Sequence, residues 1–245
     1  MFDHVTLRVP DLPAAERRFQ ALLDQLAFDE THSTRAIAVW GDFALAQAED
    51  DAHLTRRAHV TFAARSRELV DAFHAAGAAA GLAGDGPPQP RPEYGGDAYA
   101  AVVRDELENA FEAVYRADGR RDGNVDHVAL RVADLGAAAG FYRRVAEVAG
   151  FSLHEEDEAA VRFADDSGGL LSLVAGAATE HLHLAFPGDD EAVRAFYATL
   201  VAAGHRPNGE PGERARYHPG YYAAYVLDPD GNNIEVVDHH EGWTA

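Results

Sequence analysis

The chain contains no cysteine. Disulfides, thiolate metal sites and cysteine nucleophiles are therefore excluded. Basic residues are scarce: 21 Lys and Arg stand against 41 Asp and Glu, for a net charge of −20. Nucleic acid and anionic membrane both call for a basic footprint, so neither is expected as a partner. No uncharged run approaches the roughly 18 apolar residues a membrane span needs. The first residues read at once as a strand, with no basic segment leading into an apolar run, so a signal peptide is not expected and a cytoplasmic location is. A phosphate loop ending in Lys-Ser/Thr is missing, and so is a Gly-x-Ser-x-Gly elbow. What remains is ample for a core, since 47% of the 245 residues are hydrophobic.

The most informative feature present is a repeat. Asp3-His4-Val5-Thr6-Leu7-Arg8-Val9-Pro10-Asp11-Leu12 returns as Asp126-His127-Val128-Ala129-Leu130-Arg131-Val132-Ala133-Asp134-Leu135, identical at eight of ten positions and offset by 123 residues. A repeat dictates architecture before any local pattern does. It divides the chain into residues 1–117, a polar Gly-bearing joint at 118–124, and residues 125–245. Each half opens on an alternating strand, with Val5, Leu7 and Val9 on one face and His4, Thr6 and Arg8 on the other. Asp11 and Asp134 are placed to cap the helices that follow. Short strands come next, near Ala36–Trp40 and Phe43–Ala46 in one half and Ala160–Phe163 and Leu170–Val174 in the other. A second strand and helix then open on histidine again: His59-Val60-Thr61-Phe62 corresponds to His183-Leu184-Ala185-Phe186. Each half is thus two strand–helix–strands units, four in all.

The repeat also duplicates a chemical set. The second half offers His127, His183 and Glu235, and the first offers His4, His59 and Glu112. Two imidazoles and a carboxylate suit Fe, Mn, Ni, Co or Zn and leave coordination positions open. The neighbours of each candidate along its strand are apolar, so they can face a core while the His and Glu point to the opposite face.

On these residues the chain resembles the vicinal oxygen chelate superfamily, which includes glyoxalase I, type I extradiol dioxygenases and fosfomycin- and bleomycin-resistance proteins. The most specific segment is Tyr225-Val226-Leu227-Asp228-Pro229-Asp230-Gly231-Asn232-Asn233-Ile234-Glu235, similar to the family's closing hairpin with its metal-binding glutamate. The resemblance implies an α+β fold of tandem βαβββ modules, each half forming a curved mixed-sheet cup with helices outside. It implies metal ligands at His127, His183 and Glu235, with His218 and Tyr225 near the substrate. It also implies a small-molecule substrate with vicinal oxygens, and lyase, isomerase or dioxygenase chemistry. The first-half hairpin, Asp105-Glu106-Leu107-Glu108-Asn109-Ala110-Phe111-Glu112, departs from the pattern in lacking both Pro and Gly. Ala224 and Arg216 depart from the dioxygenase signature, and the base histidine of those enzymes is absent where Gly168 and Gly169 stand. A fourth carboxylate of the glyoxalase kind is missing too, with only Gln47 in a matching stretch.

Several expectations remain open at this level. His181, two residues from His183, is expected on the same strand face as a base or ligand. Tyr217 and Tyr222, like their counterparts Tyr94 and Tyr99, are expected either to hydrogen-bond a bound oxyanion or to pack with a wet hydroxyl. Arg8 and Arg131 are expected to pair with carboxylates, and His239-His240 to be a frayed tail. Sites built within a half and sites built across halves both fit the pattern, and short connections favour the former. Four modules in one chain make a dimer unnecessary, so a monomer or homodimer is expected. The rival to an enzyme is a non-enzymatic small-molecule or antibiotic binder with a cleft lined by Trp40, Phe43, Trp243 and tyrosines.

Overall fold

The structure is a computed structural model that describes residues 1–117, 119–120 and 122–240. Four βαβββ modules follow one another. The first comprises β1 (His4–Val9), α1 (Leu12–Leu23), β2 (His32–Ser33), β3 (Ile37–Trp40) and β4 (Phe43–Gln47). The second comprises β5 (His59–Ala64), α2 (Arg67–Ala79), the short β6 (Ala83–Gly84) and β7 (Gln89–Pro90), then β8 (Tyr99–Arg104) and β9 (Ala110–Tyr115). The third has β10 (Val125–Val132), α3 (Leu135–Ala149), β11 (Ser152–Glu156), β12 (Ala160–Ala164) and β13 (Leu170–Ala175). The fourth has β14 (His183–Pro187), α4 (Asp190–Ala202), β15 (Pro207–Glu213), β16 (Tyr222–Leu227) and β17 (Asn233–Asp238).

Local chemistry accounts for these elements. The carboxylates of Asp11, Asp134 and Asp189 and the hydroxyl of Ser66 each accept a first-turn backbone N–H of their helices. Each helix then buries one stripe, such as Leu12, Phe19, Leu22 and Leu23 on α1. In β1 the buried Val5, Leu7 and Val9 join a single core that both sheets share. Burying a phenylalanine such as Phe62 contributes roughly 1.5–3 kcal/mol relative to exposure.

The sheets do not follow the halves. One sheet runs β15-β16-β17-β14-β1-β4-β3-β2 and joins the fourth module to the first; the other runs β11-β12-β13-β10-β5-β9-β8-β6 and joins the third to the second. The expectation that each half forms its own cup is therefore corrected. At the centre of one sheet β1 pairs antiparallel with β14, and at the centre of the other β10 pairs antiparallel with β5. The tandem modules and two curved mixed sheets stand, but each cup takes one module from each half. The physical reason lies in the opening strands, whose free edges find each other across the repeat while α1 packs on α2 and α3 on α4.

The described part of the joint is not a loose tether. Asp42, in the β3–β4 turn, accepts the backbone N–H groups of Asn124 and Val125 and pairs with the buried Arg120 at 3.2 Å. Asp118 and Arg121 of the joint, and Trp243, lie outside the described residues.

Candidate metal centres

The exchange of modules regroups the candidate ligands. His4, His183 and Glu235 meet on one cup; His59, Glu112 and His127 meet on the other. The grouping of His127 with His183 and Glu235 is thereby corrected, because β10 is a neighbour of β5 and not of β14.

In the first centre the backbone register does the positioning. Ala185 on β14 faces His4 on one side and Glu235 on the other, and His183 stands two residues before it on the same strand face. The Nε2 atoms of His4 and His183 lie 3.0 Å apart. Glu235 Oε2 is 2.9 Å from His183 Nε2 and 3.6 Å from His4 Nε2. Ligands at about 2.0–2.2 Å from one ion and at right angles to each other stand about 3 Å apart, so the donor set fits a divalent cation.

Partners behind these three side chains orient them. His4 Nδ1 donates to Asp3 Oδ1 at 2.7 Å, leaving Nε2 turned to the centre. Asp3 Oδ2 accepts from His239 Nε2 at 2.9 Å, and His239 Nδ1 meets His218 Nε2 at 2.9 Å. His239 is thus built into the structure and is no frayed tail. Asn233 Nδ2 donates to His183 Nδ1 at 2.7 Å while Asn233 Oδ1 accepts from Asn208 Nδ2 at 2.9 Å, so the His183 ring is held with its Nε2–H toward Glu235, the proton an ion would displace. Tyr221 donates to Glu235 Oε1 at 2.7 Å.

The second centre mirrors this plan. His127 Nδ1 donates to Asp126 Oδ1 at 2.9 Å, and Arg116 holds Asp126 at 2.8 Å. The register of β10 against β5 shifts between Val125 and His127, at Asp126. His59 Nε2 lies 2.8 Å from Glu112 Oε2, and His127 Nε2 lies 3.8 Å from it.

Charge follows geometry. Glu235 is buried, which alone raises a carboxyl pKa, yet the His183 hydrogen bond and the neighbouring imidazoles hold it below the ordinary value. Glu112 and Asp126 behave likewise, held down by His59 and His127 and by His127 and Arg116 respectively. Burial lowers His4, but Asp3 and Glu235 outweigh it and its pKa rises. For His183 burial wins, helped by the charges of His4 and Arg8, and its pKa falls. Burial and the Glu235 charge raise both Tyr221 and Tyr225, so each stays a neutral hydroxyl at physiological pH.

Other expected residues fall elsewhere. Tyr225 sits beside His183, with ring centroids 6.2 Å apart. His218 contacts Tyr221, which holds Glu235, and His239, which holds Asp3, so it stands behind the centre. His181 does not join the trio: it precedes β14 with φ of 55°, which breaks the alternation, and its ring lies tilted against His53 with centroids 5.5 Å apart. Tyr217 is a rim residue, 53% exposed. Tyr222 faces the helix side, packing against the core with Arg194 over its ring, because alternation along β16 gives the cup face to Ala223 and Tyr225. Gln47 is consumed by the start of α1, accepting the Leu12 N–H and donating to Val9, Pro10 and Ala48 carbonyls. Among the described residues no carboxylate pairs with Arg8 or Arg131. Trp40 and Phe43 are fully buried core and line no cleft. A cavity of about 810 Å³ lies behind both centres, touching Asp3 and Asp126 but none of the six candidate ligands.

Sequence reasoning missed Asp3, Asp126 and Tyr221. The signals were present: the repeated motif is Asp-His rather than His alone, and strand alternation from Tyr225 passes through Ala223 to Tyr221, four residues back, and not to Tyr222.

The family model described as the glyoxalase/bleomycin resistance protein/dioxygenase superfamily matches residues 124–236. Glyoxalase I from Zea mays shares the fold across both halves, with a TM-score of 0.67 and 19% identity over 97% of this chain and 92% of that one. The chain belongs to this superfamily. A dioxygenase candidate from Bacillus subtilis has the same fold at a TM-score of 0.66 and 13% identity, over 98% of this chain and 86% of that one. A glyoxalase/bleomycin resistance protein from Albidiferax ferrireducens is 32% identical over 47% of this chain and 99% of its own, with a TM-score of 0.43. No curated protein sequence matches the chain. Among the described residues, no helix is long and apolar enough to cross a membrane.

Proposed function

We propose that this superfamily member is a metal-dependent enzyme of the glyoxalase or dioxygenase type, acting on a small molecule with two neighbouring oxygens. The observation that carries this reading is the convergence of His4, His183 and Glu235 with donor atoms 2.9–3.6 Å apart. The candidate ions are Fe, Mn, Ni, Co and Zn. When bound, such an ion supplies Lewis acidity to substrate oxygens, favouring an oxyanion or enolate.

The chain's own residues do the rest. Two neutral imidazoles and one carboxylate carry a single negative charge, which leaves net positive charge for an anionic oxygen once a divalent cation is held. Asp3 fixes the His4 ring, and Tyr221 fixes the Glu235 carboxylate. Tyr225, neutral and on the cup face, is positioned to donate to a substrate oxygen. Ala185, Ala223 and Val237 make the cup floor apolar, which strengthens every electrostatic contact above it. Each cup is complete within one chain, so neither centre needs a second copy to assemble.

The test is metal analysis after anaerobic purification, followed by titration with each candidate ion. Stoichiometric metal, whose tight binding at the first centre His183→Ala abolishes, is the expected result. A folded protein with neither bound metal nor affinity for any of these ions defeats the reading.

A further inference from the structure

The two centres share the His/His/Glu set and an aspartate behind one histidine, while their other supports differ, and one difference lies between the ligands themselves. Ala185 pairs with both His4 and Glu235; its equivalent, Thr61, pairs with both His127 and Glu112. The Thr61 hydroxyl lies 2.9 Å from His127 Nε2 and 3.1 Å from Glu112 Oε2, the same two atoms a cation would need. Glu112 Oε2 also receives His59 at 2.8 Å and the Tyr94 hydroxyl at 3.3 Å, so three polar groups crowd one donor oxygen while Glu112 Oε1 is buried without a hydrogen bond. In the first centre the tyrosine goes to the other oxygen: Tyr221 holds Glu235 Oε1 and leaves Oε2 to the imidazoles. The ring centroids of the paired histidines stand 5.0 Å apart in the first centre and 6.2 Å in the second.

We propose that Thr61 makes the second centre the weaker cation site, and that Ala185 leaves the first one free. The inference rests on the metal reading above. The hydroxyl carries one proton, and with the His127 Nδ1–H given to Asp126 both His127 Nε2 and Glu112 Oε2 are acceptors, so it donates to one of them at a time while standing within about 3 Å of both. To take an ion, His127 must free its one Nε2 lone pair from that hydroxyl, and the hydroxyl must leave the space between His127 and Glu112, at the cost of its hydrogen bond. A neutral hydroxyl is a poor substitute ligand beside imidazole and carboxylate and brings no charge of its own.

The experiment titrates the chelator-treated full-length protein with Mn²⁺ alone, by calorimetry. The wild type is expected to show one tight site and a second at least about tenfold weaker. Glu235→Gln should remove the tight site and Glu112→Gln the weak one. Thr61→Ala should tighten the weak site about tenfold or more, Thr61→Ser should behave as wild type, and Ala185→Thr should weaken the tight site. Thermal melts in chelator establish that each variant is folded. Two wild-type sites of equal affinity overturn the proposal, as does a Thr61→Ala variant whose weak site is unchanged or weaker, since that makes the hydroxyl a helper. Zero stoichiometry overturns the metal reading and this proposal with it, and differs plainly from two equal sites.

Discussion

Asp3 and Asp126 stand outside the two ligand sets, yet each decides how a ligand histidine is presented. Their carboxylates take the Nδ1–H of His4 and His127, which fixes the tautomer and turns Nε2 to the centre. Asp3 further ties the C-terminal strand region to the first strand through His239. Replacing Asp3 by Ala should weaken Mn²⁺ binding at the first centre about 10- to 100-fold. Calorimetric titration checks it, and an unchanged affinity reduces Asp3 to a packing partner.

At the scale of the element, the closing hairpins show two sequences reaching one geometry. In the second half Asp228 accepts the N–H groups of Asp230 and Asn232, and Asn232 accepts the Leu182 N–H, so the hairpin bearing Glu235 is pinned beside the strand bearing His183. In the first half Asp105 accepts from Leu107 and Asn109, and Asn109 accepts from Ala58. The missing Pro and Gly have not changed the clamp. The cost sits at Glu108, with φ of 63° where Gly231 has 91°. A side chain strains that conformation and glycine does not. Glu108→Gly should therefore stabilise the protein by about 0.5–1 kcal/mol, and Gly231→Ala should destabilise it by about 1 kcal/mol or more. Urea denaturation reads both; a loss of stability in Glu108→Gly would show that the glutamate side chain contributes more than its backbone costs.

For the whole molecule, module exchange has consequences for folding and for acid stability. A fragment of residues 125–245 carries His127, His183 and Glu235, but the edges of β10 and β14 lose their partners β5 and β1. Exposed central edges seek other strands. The fragment should therefore self-associate, and light scattering on a chromatographically pure sample that finds a folded monomer would contradict the exchanged topology. The acid response follows mainly from four carboxylates at the two centres, opposed by Asp42, Asp105 and Asp228, which desolvation raises. Asp3, Glu112, Asp126 and Glu235 all titrate below their ordinary values of 3.8 and 4.5 in the folded chain. The unfolded chain then binds more protons in that range, so their stabilisation is complete above the ordinary values and drains away as pH falls below them. Near neutrality His4 is raised and His183 lowered, so their contributions oppose each other. Unfolding free energy measured in chelator should be nearly level from about pH 7 to about pH 5 and fall below that. A level profile down to about pH 3 would mean the carboxylates gain nothing from their partners.

The sequence by itself determined the elements and the six ligand-type side chains. Alternation and helical spacing are local, and the 123-residue repeat marks His4 with His127 and Glu112 with Glu235 without any coordinates. The Asp11 and Asp134 caps were legible for the same reason, since a cap bonds within its own turn. Tertiary structure alone decided which histidine meets which glutamate. Two equivalent opening strands present equivalent edges, and local pattern carries no preference between pairing within a half and pairing across the repeat. The same limit hid His181, whose backbone leaves the strand just before β14, and Tyr222, whose face depends on the register of β16 against β17. It also hid Thr61, an ordinary strand threonine until β10 and β9 bring His127 and Glu112 to either side of it.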